Sequence, residues 1–282
     1  MPGTSRINPG APPLPSIFSR HTLLLASFVL LGACGSNAPS NASAPAGDDA
    51  YQRLMKLAGD VEARGDRGTA ATLYQRAVEQ PGAGFEAWQR LGRARLDSGN
   101  ARGAEQAYQK AVALEPDNPA ALLGLGTAQL RLGYPERAQP LLASAAEGLP
   151  GDAQAFARLG AAEAQLGNIA AMQRAFATAR QLAPGDLDAR SNLALAYALN
   201  GDSANALREI QGIDRAPTAQ RRHQRNALLV QVLAGAQGKP ASVQLDDTST
   251  AQRQALIAEA QRIAAIHDPA ERARALGLSA GQ

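Results

Sequence analysis

The sequence predicts an all-α chain built as a solenoid of stacked antiparallel helix pairs, and three observations point to it. Glycines recur every 34 residues, at Gly65, Gly99, Gly133, Gly167, Gly201 and Gly235. Each sits in a run of helix formers, where glycine costs about 1 kcal/mol relative to alanine, so a local backbone need must favour it. No stretch shows the sustained apolar alternation of a half-buried strand. Aromatics are only 4% of the 282 residues and alanine is abundant, so the core must come from close packing of helices through small side chains.

Taken from the N-terminus, Arg20 and His21 precede the apolar run "TLLLASFVLLGAC". That run has the length of a signal-peptide core and is too short to span a membrane comfortably. Leu31-Gly32-Ala33-Cys34 resembles the lipobox of bacterial lipoproteins, with Cys34 the chain's single cysteine. Small residues there let the peptidase approach the backbone, and the cysteine thiolate takes the lipid. The resemblance implies a signal peptide over 1–33 and lipidation at Cys34. Residues 34–50, rich in Ser, Pro, Ala, Gly and Asn, are expected to form a flexible tether. In such lipoproteins an Asp after the cysteine signals inner-membrane retention. Gly35 and Ser36 stand there instead, so the resemblance implies the periplasmic face of the outer membrane.

Five repeat units follow. Unit 85–118 carries Trp88, Leu91 and Gly92, then Ala104, Tyr108, Ala111 and Pro116. Unit 119–152 repeats this with Leu122, Leu125, Gly126, Ala138, Leu142, Ala145 and Pro150, and unit 153–186 with Phe156, Leu159, Gly160, Met172, Phe176, Ala179 and Pro184. Units 51–84 and 187–220 are looser, with Pro81 and Pro217 each one place early. The pattern resembles the tetratricopeptide (TPR) family from about residue 51 to residue 235, and implies a right-handed solenoid. Gly92, Gly126 and Gly160 let the partner helix of the pair approach, large residues such as Trp88, Tyr108, Leu142 and Phe176 fill the space between pairs, and the prolines stop the second helix. The periodic glycines are expected in left-handed turns, and Asp66, Asn100, Asn168 and Asp202 after them as helix caps. A partial sixth repeat contributes a first helix near 222–234, and region 236–282 is expected to cap the stack: after a break at "GKPASVQLDDTST" come a helix near 249–266 folding back on the last repeat and a short one beginning at Pro269.

Charge excludes little. The 28 basic and 25 acidic residues give +3, and two basic residues, Arg6 and Arg20, precede Cys34. No patch of interleaved aromatics and cations supports a nucleic-acid partner. His21, His223 and His267 are far apart in sequence and lack metal-ligand spacing, and no phosphate loop or nucleophile motif occurs, so neither an enzyme nor a cofactor is expected. Function is expected in a concave groove lined by first helices, which in TPR proteins holds a peptide. The repeat frame points Gln89, Arg90, Arg93, Leu123, Thr127, Arg158, Ser191 and Asn192 inward, with Arg90, Arg93, Arg158 and Asn192 suited to carboxylates or peptide backbone. Met55 and Gly59 stand where the Lys/Asn clamp of chaperone-binding TPRs would begin.

The stretches "RSNLALAYALNGDSANALREI" and "RRHQRNALLVQVLAGAQGKPASV" resemble the TadD lipoproteins of tight-adherence (Flp-type) pilus systems. That resemblance implies a non-enzymatic factor for pilus assembly, with a secretin or another assembly component as partner. Two alternatives stay open: a type IV pilus pilotin, and a TPR regulator of enzymes that build or cut peptidoglycan.

Overall fold

The computed structural model describes residues 46–235, 243–246 and 248–279. The signal segment and Cys34 therefore lie outside the described residues. Five antiparallel pairs form the body: α1 (Ala46–Ala63) with α2 (Arg67–Val78), α3 (Phe85–Asp97) with α4 (Ala101–Leu114), α5 (Pro119–Arg131) with α6 (Pro135–Gly148), α7 (Ala153–Leu166) with α8 (Ile169–Leu182), and α9 (Leu187–Leu199) with α10 (Ser203–Ile210). A 3-10 turn at Ile213–Arg215 leads to α11 (Arg221–Leu233), α12 (Thr250–Ala264) and α13 (Pro269–Ser279). The described residues contain no strand. The second helix of each pair packs on the first helix of the next, which makes the solenoid.

The periodic glycines do what their spacing predicts. Gly65, Gly99, Gly133, Gly167, Gly201 and Gly235 all have φ between 67° and 87°, the left-handed region open to glycine without a Cβ clash. Asp66, Asn100 and Asp202 then cap the following helices, accepting from the amides of Thr69, Gly103 and Asn205. Asn168 departs from this expectation. Its Nδ2 donates to Glu163 Oε2 at 2.7 Å, a buried carboxylate that Gln139 also holds at 2.9 Å, and its side chain does not cap α8. A buried carboxylate needs donors more than a helix end does.

Helices α4, α6 and α8 end just before Pro116, Pro150 and Pro184. Within the second, third and fourth pairs, a glycine lies beneath a large side chain. A Cβ at Gly92 would lie 2.7 Å from the Tyr108 ring, one at Gly126 2.7 Å from Leu142, and one at Gly160 2.6 Å from Phe176.

Three features differ from the sequence expectation. Helix α1 begins at Ala46, inside the stretch 34–50 expected as a tether. Once Tyr51, Met55, Ala58 and Val61 pack and nucleate the helix, each further residue extends it at little cost. Helix α10 has only 8 residues, because the chain turns left-handed at Gly212 (φ 74°). Of the C-terminal helices, α12 packs on α11 as a cap should, while α13 lies mainly against α7 and also touches α8, α9 and α12.

Candidate functional site

The first helices form the inner wall of the solenoid, and between α7, α9 and α11 they enclose a groove of about 1670 Å³. Helix α7 contributes Gln154, Ala157, Arg158 and Ala161, α9 contributes Asp188, Asn192 and Leu195, and α11 contributes Arg222, Arg225 and Asn226. Helix α12 faces them with Gln252, Leu256 and Glu259. The lining mixes apolar side chains such as Phe176, Leu195 and Leu256 with guanidinium and amide groups, the composition that holds a peptide by its side chains and its backbone.

Arg158 is half-buried in this groove, and its Nε is buried without a hydrogen-bond partner. Burial pulls its pKa below the ordinary arginine value, the nearby Arg131 guanidinium adds to that, and Asp188 opposes it. Arg131 itself reaches sideways, donating to the Leu96 carbonyl at 2.6 Å. A half-buried guanidinium in a groove wall, its Nε without a partner, suits a carboxylate or a peptide carbonyl.

Asp188 ties α9 to α11. Arg222 grips it with two parallel bonds, Nε to Oδ1 at 2.6 Å and Nη2 to Oδ2 at 2.7 Å, and His223 Nε2 lies 2.8 Å from Oδ1. The Gln220 amide donates to His223 Nδ1 at 2.9 Å, so both ring nitrogens are engaged and the imidazole acts as a strut. Hydrogen bonding from Arg222 holds the Asp188 carboxyl below its usual 3.8, with His223 adding to the effect. A depressed carboxylate stabilises the fold above its unfolded pKa, and that contribution is lost as pH falls through the folded value. Asp188 keeps 45% side-chain exposure, so screening limits the effect. Asp188→Asn should therefore cost about 1–2 kcal/mol at pH 7. The difference from wild type should shrink below pH 3.8 in thermal melts.

The structure separates the residues that the repeat frame pointed inward. Arg158 and Asn192 line one groove. Gln89 is half-buried on α3, Arg90 is engaged with Glu86 at 3.0 Å, and Arg93 lies 4.0 Å from Asp97; all three are outside the groove lining. Leu123 packs against the apolar cluster of Leu130, Ala138, Leu142 and Ala162. Two expectations are corrected. Thr127 is buried with its hydroxyl donating to the Leu123 carbonyl at 2.6 Å, and Ser191 is fully buried, donating to the Asp188 carbonyl and accepting from Asn226 Nδ2. Both are buried, Thr127 bonded within its own helix and Ser191 held between α9 and α11, so neither faces a partner. The groove residues that sequence reasoning missed, Arg222, Arg225 and Asn226, sit on α11, where the repeat pattern fades. Among the described residues no group of three or more His, Cys, Asp or Glu could hold a metal ion. No helix of the described residues is long and apolar enough to cross a membrane.

Helix pairs at a 34-residue period, three of them with a glycine under a large side chain, define a tetratricopeptide-repeat solenoid. Residues 54–216, more than half of the chain, match the family described as the cilia and flagella-associated protein 70 middle TPR-like domain, and the chain belongs to that family. No curated protein matches the chain. Several solved structures share its fold. PilW, a widely conserved type IV pilus biogenesis factor, superposes with a TM-score of 0.60 at 16% identity, covering 68% of this chain and 90% of PilW. A tetratricopeptide repeat protein from Parabacteroides merdae gives 0.59 at 16% identity over 83% of this chain and 92% of that one. PilF from Pseudomonas aeruginosa gives 0.57 at 17% identity over 71% and 90%. At these identities the likeness is one of fold.

Proposed function

We propose that the chain is a non-enzymatic scaffold, lipid-anchored at the periplasmic face of the outer membrane, that binds a protein partner in the α7–α9–α11 groove. In this proposal it assists assembly of a Tad/Flp-type pilus machine by localising or assembling its secretin. The groove carries the proposal: a lining that sets apolar side chains beside Arg158, whose Nε has no hydrogen-bond partner, and Asn192 suits an extended or helical segment bearing a carboxylate. The lipobox at Leu31–Cys34 supports the anchor, and the Asn-Leu-Ala-Leu stretch at 192–195 supports the Tad assignment. A role in an ordinary type IV pilus is the second reading, favoured by the fold shared with PilW.

The test is cross-linking in cells of the tagged chain, followed by mass spectrometry of what it captures. A secretin as the leading partner supports the pilus-assembly proposal, and the machine that secretin belongs to separates the two readings. Cell-wall enzymes in its place would sink both. The anchor has its own test: Cys34→Ser should give an unprocessed precursor that takes up no radioactive palmitate, and a labelled variant would end the lipoprotein assignment.

A further inference from the structure

The inner helices do not stack evenly. Helix α5 packs beside both α3 and α7, and α11 packs beside α9, but α7 and α9 scarcely meet. Between them the solenoid opens a seam onto α8, whose Met172, Phe176 and Ala179 reach the groove. Helix α13 packs against α7, α8 and α9, the three sides of that seam, and touches α12 beside it.

Its docking face is a stripe at helical spacing: Ala270, Ala273 and Leu276. Ala270 lies against the turn at Gly167, where a glycine Cβ would come within 2.7 Å of the alanine Cβ. Ala273 and Leu276 are buried and belong to the same apolar cluster as Met172, Phe176 and Leu193. Among the described residues one polar contact ties α13 to the seam. Arg274 Nη1 reaches the Leu166 carbonyl at 3.4 Å, while its ion pair is with Asp268, in its own segment. Asp268 also caps α13, accepting from the amides of Ala270 and Glu271. The helix is thus internally capped and held by a short apolar stripe, much as a separate helical ligand would be.

We infer that the α7–α9 seam is a receptor for an amphipathic helix with an alanine–alanine–leucine stripe, and that α13 fills it in cis until a partner helix of the same stripe displaces it. The inference rests on the proposed function only in taking the groove as the partner surface. A tethered helix acts at an effective concentration on the order of millimolar, so it excludes a micromolar competitor while it stays docked. Partner affinity is then reduced by the fraction of molecules in which the seam is occupied.

The probe is a fluorescent synthetic peptide of residues 267–279 added to the purified full chain. Two variants eject α13 by different routes: Ala273→Asp with Leu276→Asp spoils the stripe, and Arg274→Pro breaks the helix. Both should bind the peptide at least tenfold more tightly than wild type, and a peptide carrying Leu276→Asp should not bind. Equal binding to all three proteins, or binding to neither variant, would overturn the inference. Circular dichroism checks that the solenoid remains. Should both variants unfold, the unmodified chain still decides: millimolar peptide should accelerate hydrogen exchange of the α13 amides, and unchanged exchange would count against displacement. No cellular partner enters this experiment, so its failure leaves the scaffold proposal intact, and a failed capture in cells leaves the seam result standing.

Discussion

Tyr108→Ala is expected to lower the stability of the solenoid by about 3–5 kcal/mol. The ring stands between two glycines on two different helices. A Cβ at Gly92, in its own pair, would come within 2.7 Å of it, and one at Gly124, in the next pair, within 2.2 Å. The residue is 5% exposed, and burial pushes its phenol up to about 12. Neither glycine can fill the space left by truncation, so most of the cavity would persist. Because each repeat contacts chiefly its neighbours, the loss falls on the joint between the second and third pairs and uncouples the two halves. Urea unfolding followed by the fluorescence of Trp88, the only tryptophan, should then separate from unfolding followed by far-ultraviolet circular dichroism. A single coincident transition within about 1 kcal/mol of wild type would refute this account. Gly124→Ala tests the same contact from the other side, and overpacking there should cost about 1–3 kcal/mol.

What was legible in the sequence was whatever one residue type enforces alone. A left-handed turn tolerates little besides glycine, so Gly99 and its periodic relatives announced all the helix pairs at once. Proline cannot continue a helix, so Pro116, Pro150 and Pro184 marked the ends. The repeat frame gave Gly92 and Tyr108 their fixed places, one as the small residue of the pair and one as a filler between pairs, but not their contact. Gly124 has no such place: it contacts Tyr108 across a repeat boundary, where the frame assigns no glycine.

The groove was only half legible, for a different reason. A first helix has an inward face, but its neighbours cover part of it. Thr127 and Ser191 share the face of Arg158 by counting, yet Thr127 is spent on its own helix and Ser191 is buried between α9 and α11. Counting fixes direction, while burial depends on how far adjacent helices stand apart. The place of α13 was less legible still. Its contact with the Leu166 carbonyl joins residues 108 positions apart. No periodicity carries that information, because the seam it fills exists only after α7 and α9 have folded apart.

Arg158→Glu should weaken capture of the groove's partner by about 30-fold or more, corresponding to about 2 kcal/mol or more for a charge reversed in a partly buried site. The guanidinium sits beside Arg131 with its Nε lacking a partner, so the free protein gains little from it. Arg158→Gln should therefore leave thermal stability unchanged or slightly raised while capture still falls, the pattern of a residue kept for binding at some cost to folding. Arg158→Lys should recover only part of the affinity, since an ammonium keeps the charge but not the planar fork. Arg90→Glu with Arg93→Glu provides the comparison. Both lie outside the groove on α3, facing Glu86 and Asp97 of their own helix, and should leave capture unaltered. Were that pair to abolish capture and Arg158→Glu to spare it, the partner would have to lie along α3, and the α7–α9–α11 groove would lose its claim.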